Sequence, residues 1–347
     1  MRNLTGYRLR LRNRRLYHRV RAVSWWWNAH LRGIAMKNFT TRGRFARLCG
    51  PIDPKTEPTE RQEILVRGAR TADATMTHAV MSYEGAVRLI SFRGGDPLPW
   101  SAMVLARTAF EASLRIIWLL DPTIDDGVLL SRIGATTFEN LDELRKEHAV
   151  MPEELRSTPQ ARAEEAREFY KEALEKNGCQ VVLSDGWRRG YVEAPSGEKS
   201  AFPFNMVDAS ARWWSPLGVF TYRWLCSFTH AAFVPPASSP MPVAALDEEN
   251  TYLVLQLATD SLWKAMDAYS TWVGMPDGIM RRQLSRVAAL LESRLPENLR
   301  LQRPPTPIEG YFMGAVAVME DLGFVSQGAI KRFSKHYVRR LDVPRRR

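Results

Sequence analysis

PWSAMVLARTAFEASLRIIWLL, residues 99–120, is the stretch on which the fold turns. It opens on Pro99 and stops at Asp121-Pro122, and between them stand Met103, Val104, Leu105, Ala109, Phe110, Leu114, Ile116, Ile117, Trp118 and Leu119. Apolar residues occupy nearly every side of the helical wheel instead of one stripe, which marks a helix surrounded by others. At about 1.5 Å per residue it is long enough to cross a domain. Arg107, Glu111 and Arg115 interrupt it, and no run in the chain reaches the roughly 18–20 apolar residues of a membrane-spanning helix.

Working outward, further helices are predicted on both sides. Glu60–Phe92 places Ile64, Ala72, Met76, Val80, Ala86, Val87 and Ile90 at amphipathic spacing and ends in Arg93-Gly94-Gly95-Asp96-Pro97. Thr123 followed by Asp126 reads as a capping box for a helix running towards His148. Pro152–Lys176 is charged and closes on Asn177-Gly178, a solvated helix with its C-cap. From Gly178 to Phe204 the composition turns to Gly, Pro and Ser, and Val181-Val182-Leu183 is the sole strand candidate, so a long loop with at most a small hairpin is expected. Asp208–Ala232, Asp247–Val273 and Pro276–Leu295 return to helix, and Pro307–Leu322 with Ser326–Leu341 forms a last pair. The fold class is all-α: a helical bundle core with a basic N-terminal extension and a C-terminal helical pair. The division expected is 1–59 as an Arg/Trp-rich extension and Pro linker, 60–275 as the core with a loop insertion at 178–207, and 276–347 as C-terminal helices and tail.

Charge is unevenly distributed. The net is +11 over 347 residues, yet residues 1–50 hold 13 Lys and Arg with no acid, and residues 331–347 hold 8 with one acid. The remaining 280 residues are therefore net −9. An all-basic segment repels itself, so residues 1–50 are expected to pack little against the body beyond Trp25-Trp26-Trp27. Cys49, Cys179 and Cys226 are odd in number and far apart, which argues against a disulfide framework or zinc knuckle and for a reducing, cytoplasmic setting.

Several chemistries lack their residues. The chain has no G-x-x-x-x-G-K-[ST], G-x-G-x-x-G, H-E-x-x-H, G-x-S-x-G or E-x-x-H pair, and its histidines (18, 30, 78, 148, 230, 336) are scattered. No metal site and no cofactor are expected. What remains is a ladder and a segment. Arg107, Glu111 and Arg115 lie at i, i+4 and i+8, so Glu111 can pair with both arginines on one face. Charges inside an apolar helix need pairing, which makes the ladder either a structural ion network or an anion-binding or catalytic cluster. The segment is Tyr222-Arg223-Trp224-Leu225-Cys226-Ser227-Phe228-Thr229-His230, in which Arg223 and His230 stand two helical turns apart on one face.

That Arg, six residues, His spacing resembles the motif of HEPN-type helical domains, although Trp224 follows the arginine where a polar residue is usual. The resemblance implies a metal-independent endoribonuclease of defence or toxin type, with His230 in acid–base transfer at the ribose 2′-OH and Arg223 on the phosphate. More broadly, the chain resembles a large group of bacterial all-helical proteins that carry an R-x-x-x-E helix, a Trp/Pro-bearing loop and a Y-x-x-L-S-x-x-x-H helix. Arg107…Glu111, the loop through Trp187 and Pro203, and Tyr222…Leu225-Cys226…His230 match it, with cysteine in place of the serine. In this reading Arg107, Glu111, Arg223 and His230 converge in one partly open pocket.

A second reading is a regulator that binds nucleic acid without chemistry. Met319–Ser326 with Ala329-Ile330-Lys331-Arg332 is laid out like a helix-turn-helix with a basic second helix. Arg8, Arg10, Arg12, Arg14 and Arg15, together with Lys331, Arg332, Arg339 and Arg340, suit phosphate contact, with Tyr and Trp interleaved for stacking. RNA or DNA is the partner expected, ahead of an anionic membrane surface; a homodimer and a purely structural, partner-binding module stay open as further readings.

Overall fold

The computed structural model describes residues 14–29, 43–51, 55–91, 99–184, 188–214, 222, 226, 248–274 and 278–293. The protein is predominantly α-helical, with one small sheet among these residues. At its centre are α3 (Glu60–Ile90), α4 (Pro99–Leu119) and α8 (Glu248–Val273), with α4 packed against both of the others. Small residues permit a close approach: Ala69, Ala72, Ala79 and Ala86 on α3 and Ala102, Ala106 and Ala109 on α4 all lie in the same buried cluster. Phe110, Leu114 and Ile116 of α4 and Leu255, Leu262, Met266 and Tyr269 of α8 complete it. The expectation that 99–120 is surrounded therefore holds.

Local chemistry sets the helix ends. Thr59 begins α3 with a reciprocal cap: its hydroxyl accepts from the Gln62 amide at 3.3 Å, and the Gln62 side chain accepts from the Thr59 amide at 2.9 Å. Glu60 and Glu63 add favourable charge at that end of the helix dipole. The next cap differs from expectation. Asp125, not Thr123, starts α5 (Asp126–Ala149) by accepting from the Val128 amide at 2.8 Å. Thr123 is already engaged, donating its amide and hydroxyl to Asp121 Oδ1 at 3.0 and 2.6 Å. Then α6 (Glu153–Lys176) closes as predicted at Asn177, and Gly178, at φ +83°, provides the left-handed turn.

Residues 180–202 correct the loop expectation. They form an antiparallel meander, β1 (Gln180–Ser184), β2 (Arg189–Glu193) and β3 (Lys199–Phe202), with Val181 opposite Val192 and Tyr191 opposite Ala201. Val192 and Phe202 point into the core, where Phe202 stacks on Phe138 of α5 at 5.5 Å. Gly190 is obligatory there, because a Cβ would lie 2.3 Å from the Val182 carbonyl oxygen. Arg132 of α5, wholly buried, pins the β2–β3 turn through Glu198 at 2.8 Å and lies beside Asp121 at 3.8 Å.

The N-terminal segment is the larger correction. Residues 14–29 form a helix, α1, whose Leu16, Val20, Val23 and Trp27 are at most 1% exposed. The Trp27 indole donates to Thr77 Oγ1 at 3.1 Å and meets Tyr269 edge-on at 5.0 Å. After it, α2 (Arg44–Cys49) buries Phe45 against Trp272, with centroids 5.4 Å apart. So this part of residues 1–50 packs firmly on α3 and α8. The reason is geometric: an apolar stripe at i, i+4, i+7 and i+11 leaves the arginines on the other side. Two short helices finish the described chain, α7 (Met206–Trp214) and α9 (Gly278–Glu292), the latter burying Met280, Leu284, Val287 and Leu291. Beyond Trp214, residues 222 and 226 are helical, while the rest of 215–232 and the pair at 307–341 lie outside the described residues. No described helix is long and apolar enough to cross a membrane.

Candidate functional site

One flank of α4 is left uncovered by the bundle. Val104, Arg107, Thr108, Glu111, Arg115 and Trp118, at helical spacing, are half-buried, while the intervening residues other than Leu105 are buried. Facing them on α3 is a second stripe, the polar Thr71, Thr75 and His78 with Ala74 among them, at i, i+4, i+7 and i+3. Between them lies an open cleft of about 510 Å³, also lined by Met206 of α7 and by Tyr222. A smaller cavity of about 40 Å³ adjoins it, sharing Thr75 and Arg115 and reaching Thr136, Asn140 and Phe204.

The charge ladder resolves differently from the expectation that Glu111 serves both arginines. Arg107 Nε donates to Glu111 Oε1 at 2.7 Å. Arg115 instead reaches across to α5, where both its terminal nitrogens meet the Glu139 carboxylate at 2.9 Å. The planar guanidinium fits a carboxylate in this two-bond fashion, and Phe204 lies 5.2 Å beneath it, so Glu139 outcompetes the residue one turn away. The ladder is thus two ion pairs, one inside the cleft and one at its end.

Tyr222 closes the cleft beside Arg107, whose guanidinium sits 5.8 Å from the ring centroid. The phenol is pushed up to about 12, by burial first, then by its hydrogen bond with Cys226 and the charge of Glu111, against the hydrogen bond from Arg107. It therefore keeps its proton at neutral pH and remains a donor. Burial works against the Arg107 charge, but the Glu111 carboxylate outweighs it and the guanidinium ends up above its ordinary range. Cys226, one turn from Tyr222 and half-buried, acts on Arg107 in the same direction. The arrangement combines a fixed cation, a carboxylate, a neutral phenol and an exposed imidazole, His78, around one space. Such a set can hold a phosphate-bearing ligand and move protons at it. No group of three or more His, Cys, Asp or Glu among the described residues is arranged to hold a metal ion.

Of the residues singled out in the sequence, Arg107 and Glu111 line the cleft, and Arg14 and Arg15 lie exposed on α1. Arg223, His230, Arg8, Arg10, Arg12, Lys331, Arg332, Arg339 and Arg340 lie outside the described residues. His78 was missed by sequence reasoning. The signal available was the Thr71, Thr75, His78 spacing on α3, polar positions beside an apolar face. Only the pairing of α3 with α4 shows which flank that stripe confronts. The fold and site thus define an all-α protein with a polar cleft beside its central helix. No protein-family model matches the chain, and neither a curated protein nor a solved structure is similar to it.

Proposed function

We propose that this is a HEPN-like protein that cleaves RNA without a metal ion, and that the cleft between α3 and α4 is its active centre. One observation carries the reading: Tyr222 and Cys226, which flank Arg223 and precede His230, stand against the Arg107–Glu111 pair. In the reaction, His230 takes the proton of a ribose 2′-OH, and the freed oxygen attacks the adjacent phosphorus. The new P–O2′ bond forms as the P–O5′ bond breaks, and the leaving 5′-oxygen is protonated by an acid in the cleft. Arg223 balances the charge that builds on the phosphoryl oxygens. Arg107, held by Glu111 and Tyr222, orients the next phosphate. The products are a 2′,3′-cyclic phosphate and a 5′-hydroxyl end.

Purified protein incubated with RNA in the presence of a chelator should give those ends, and His230→Ala should abolish cleavage while leaving the unfolding free energy within about 1–2 kcal/mol. Intact RNA with folded wild type would sink the enzymatic reading. Binding without cleavage would instead favour the regulator reading, to which the exposed Arg14 and Arg15 lend support.

A further inference from the structure

The docked α1 helix has a second face. Opposite the buried stripe, Arg14, His18, Arg21, Trp25 and Asn28 recur at i, i+4, i+7, i+11 and i+14, and all five are exposed. Trp25 is 71% exposed, whereas Trp27, two residues on, is fully buried. Residues 14–29 contain four arginines and no acid. The ion pairs of the described residues engage Arg44, Arg107, Arg115 and Arg132, among others, but no arginine of α1. We propose that this outward face binds single-stranded nucleic acid, the arginines meeting phosphates and Trp25 stacking on a base.

Three features select this partner. The first is charge: the guanidinium groups of Arg14 and Arg21, engaged by no ion pair among the described residues, are complementary to a phosphate backbone and gain from counterion release. The second is the lone, large, solvent-facing indole on that face, which suits a base whose face is open, as in a single strand, and not one stacked in a duplex. The third excludes the main competitor. A helix that lies on a membrane inserts its apolar face into the lipid, and here Leu16, Val20, Val23 and Trp27 are already buried in the protein core. From Arg14 to Trp25 the face runs about 16 Å, the span of about five nucleotides stacked at 3.4 Å. The choice of partner rests on the nucleic-acid reading above; the surface itself is independent of the cleft and its chemistry.

The test uses the full chain and a labelled single-stranded DNA of about ten nucleotides, twice the span of the face. Lacking the 2′-OH, this probe is not cut by the route proposed, so binding is read apart from cleavage. Fluorescence anisotropy across about 50–200 mM salt should show affinity falling steeply. Arg14→Gln with Arg21→Gln should flatten the log–log slope by about 1.4, or about 0.7 for each phosphate no longer neutralised. Trp25→Ala should weaken binding on the order of tenfold with the slope unchanged. These exposed positions leave the melting temperature where it is. Binding that ignores all three substitutions, no binding by folded wild type, or equal Trp25-dependent binding to vesicles of anionic phospholipid overturns the proposal.

Discussion

Arg132 and Asp260 show two ways in which a charge persists inside this fold. Arg132 is wholly buried and is held by Glu198, by the Trp118 carbonyl and by nearby Asp121, which is 2% exposed. Arg132→Ala strands Asp121 in the interior, so denaturant unfolding should show a loss of about 3–5 kcal/mol. Glu198→Gln, on the solvated side of the network, should lose less than about 1 kcal/mol. Equal losses would mean that the network is not organised around the arginine. Asp260 behaves otherwise. Its Oδ2 is buried without a hydrogen-bond partner among the described residues. Burial raises its carboxyl to about 7, with Lys264 and the Gln256 amide acting against the rise and Glu292 adding to it. Between its ordinary value of 3.8 and about 7 the unfolded chain releases a proton that the folded chain keeps, so stability falls as pH rises through that window. Relative to wild type, Asp260→Asn should therefore gain by roughly 4 kcal/mol between pH 4 and 8. A difference that does not vary with pH contradicts this assignment. Neither residue announces itself in the sequence, because what decides its state comes from elements distant in the chain. The Arg107–Glu111 pair was legible, since both partners lie one turn apart. Arg115 was misassigned for the converse reason: its partner Glu139 is on another helix.

The elements were legible wherever one kind of signal dominated. Residues 99–120 are apolar all round, and residues 60–92 keep an amphipathic spacing; both helices lie where the sequence places them. The meander was obscured because its strands are four or five residues long, with Gly190 inside one and Gly197 in the turn, so alternation never accumulates. The α1 helix was hidden by composition. Its arginines dominate the count, but the stripe from Leu16 to Trp27 keeps a helical period that the net charge does not reveal. That stripe yields a sharp contrast between neighbouring tryptophans. Trp27→Ala should destabilise by about 3–5 kcal/mol through the cavity it leaves, whereas Trp25→Ala should stay within about 0.5 kcal/mol. Equal small effects in urea unfolding would return α1 to the status of a loosely attached arm.

At the scale of the whole molecule, packing and charge converge on the same flank. The core of α3, α4 and α8 buries nearly every apolar side chain of α4 but leaves one polar flank uncovered, and that flank is where charge, phenol and imidazole meet. Basic residues are concentrated at the ends of the chain, α1 among them, while the middle is net acidic, so long-range attraction of a polyanion begins at the ends. The cleft could be half-read in advance, since Arg107, Glu111 and Tyr222 were all named from the sequence. Its other wall, with His78, appears only once two helices distant in the chain are packed side by side. The central claim is that this cleft, and not a detached surface, performs the cleavage. The most direct measurement is the single-turnover RNA cleavage rate of Tyr222→Phe, which deletes one hydroxyl that bonds Arg107 and leaves the ring in place. Misplacing the guanidinium should slow cleavage by about tenfold or more, with the melting temperature nearly unchanged. A variant that cuts RNA at the wild-type rate, or a folded wild type that does not cut RNA, would contradict the account.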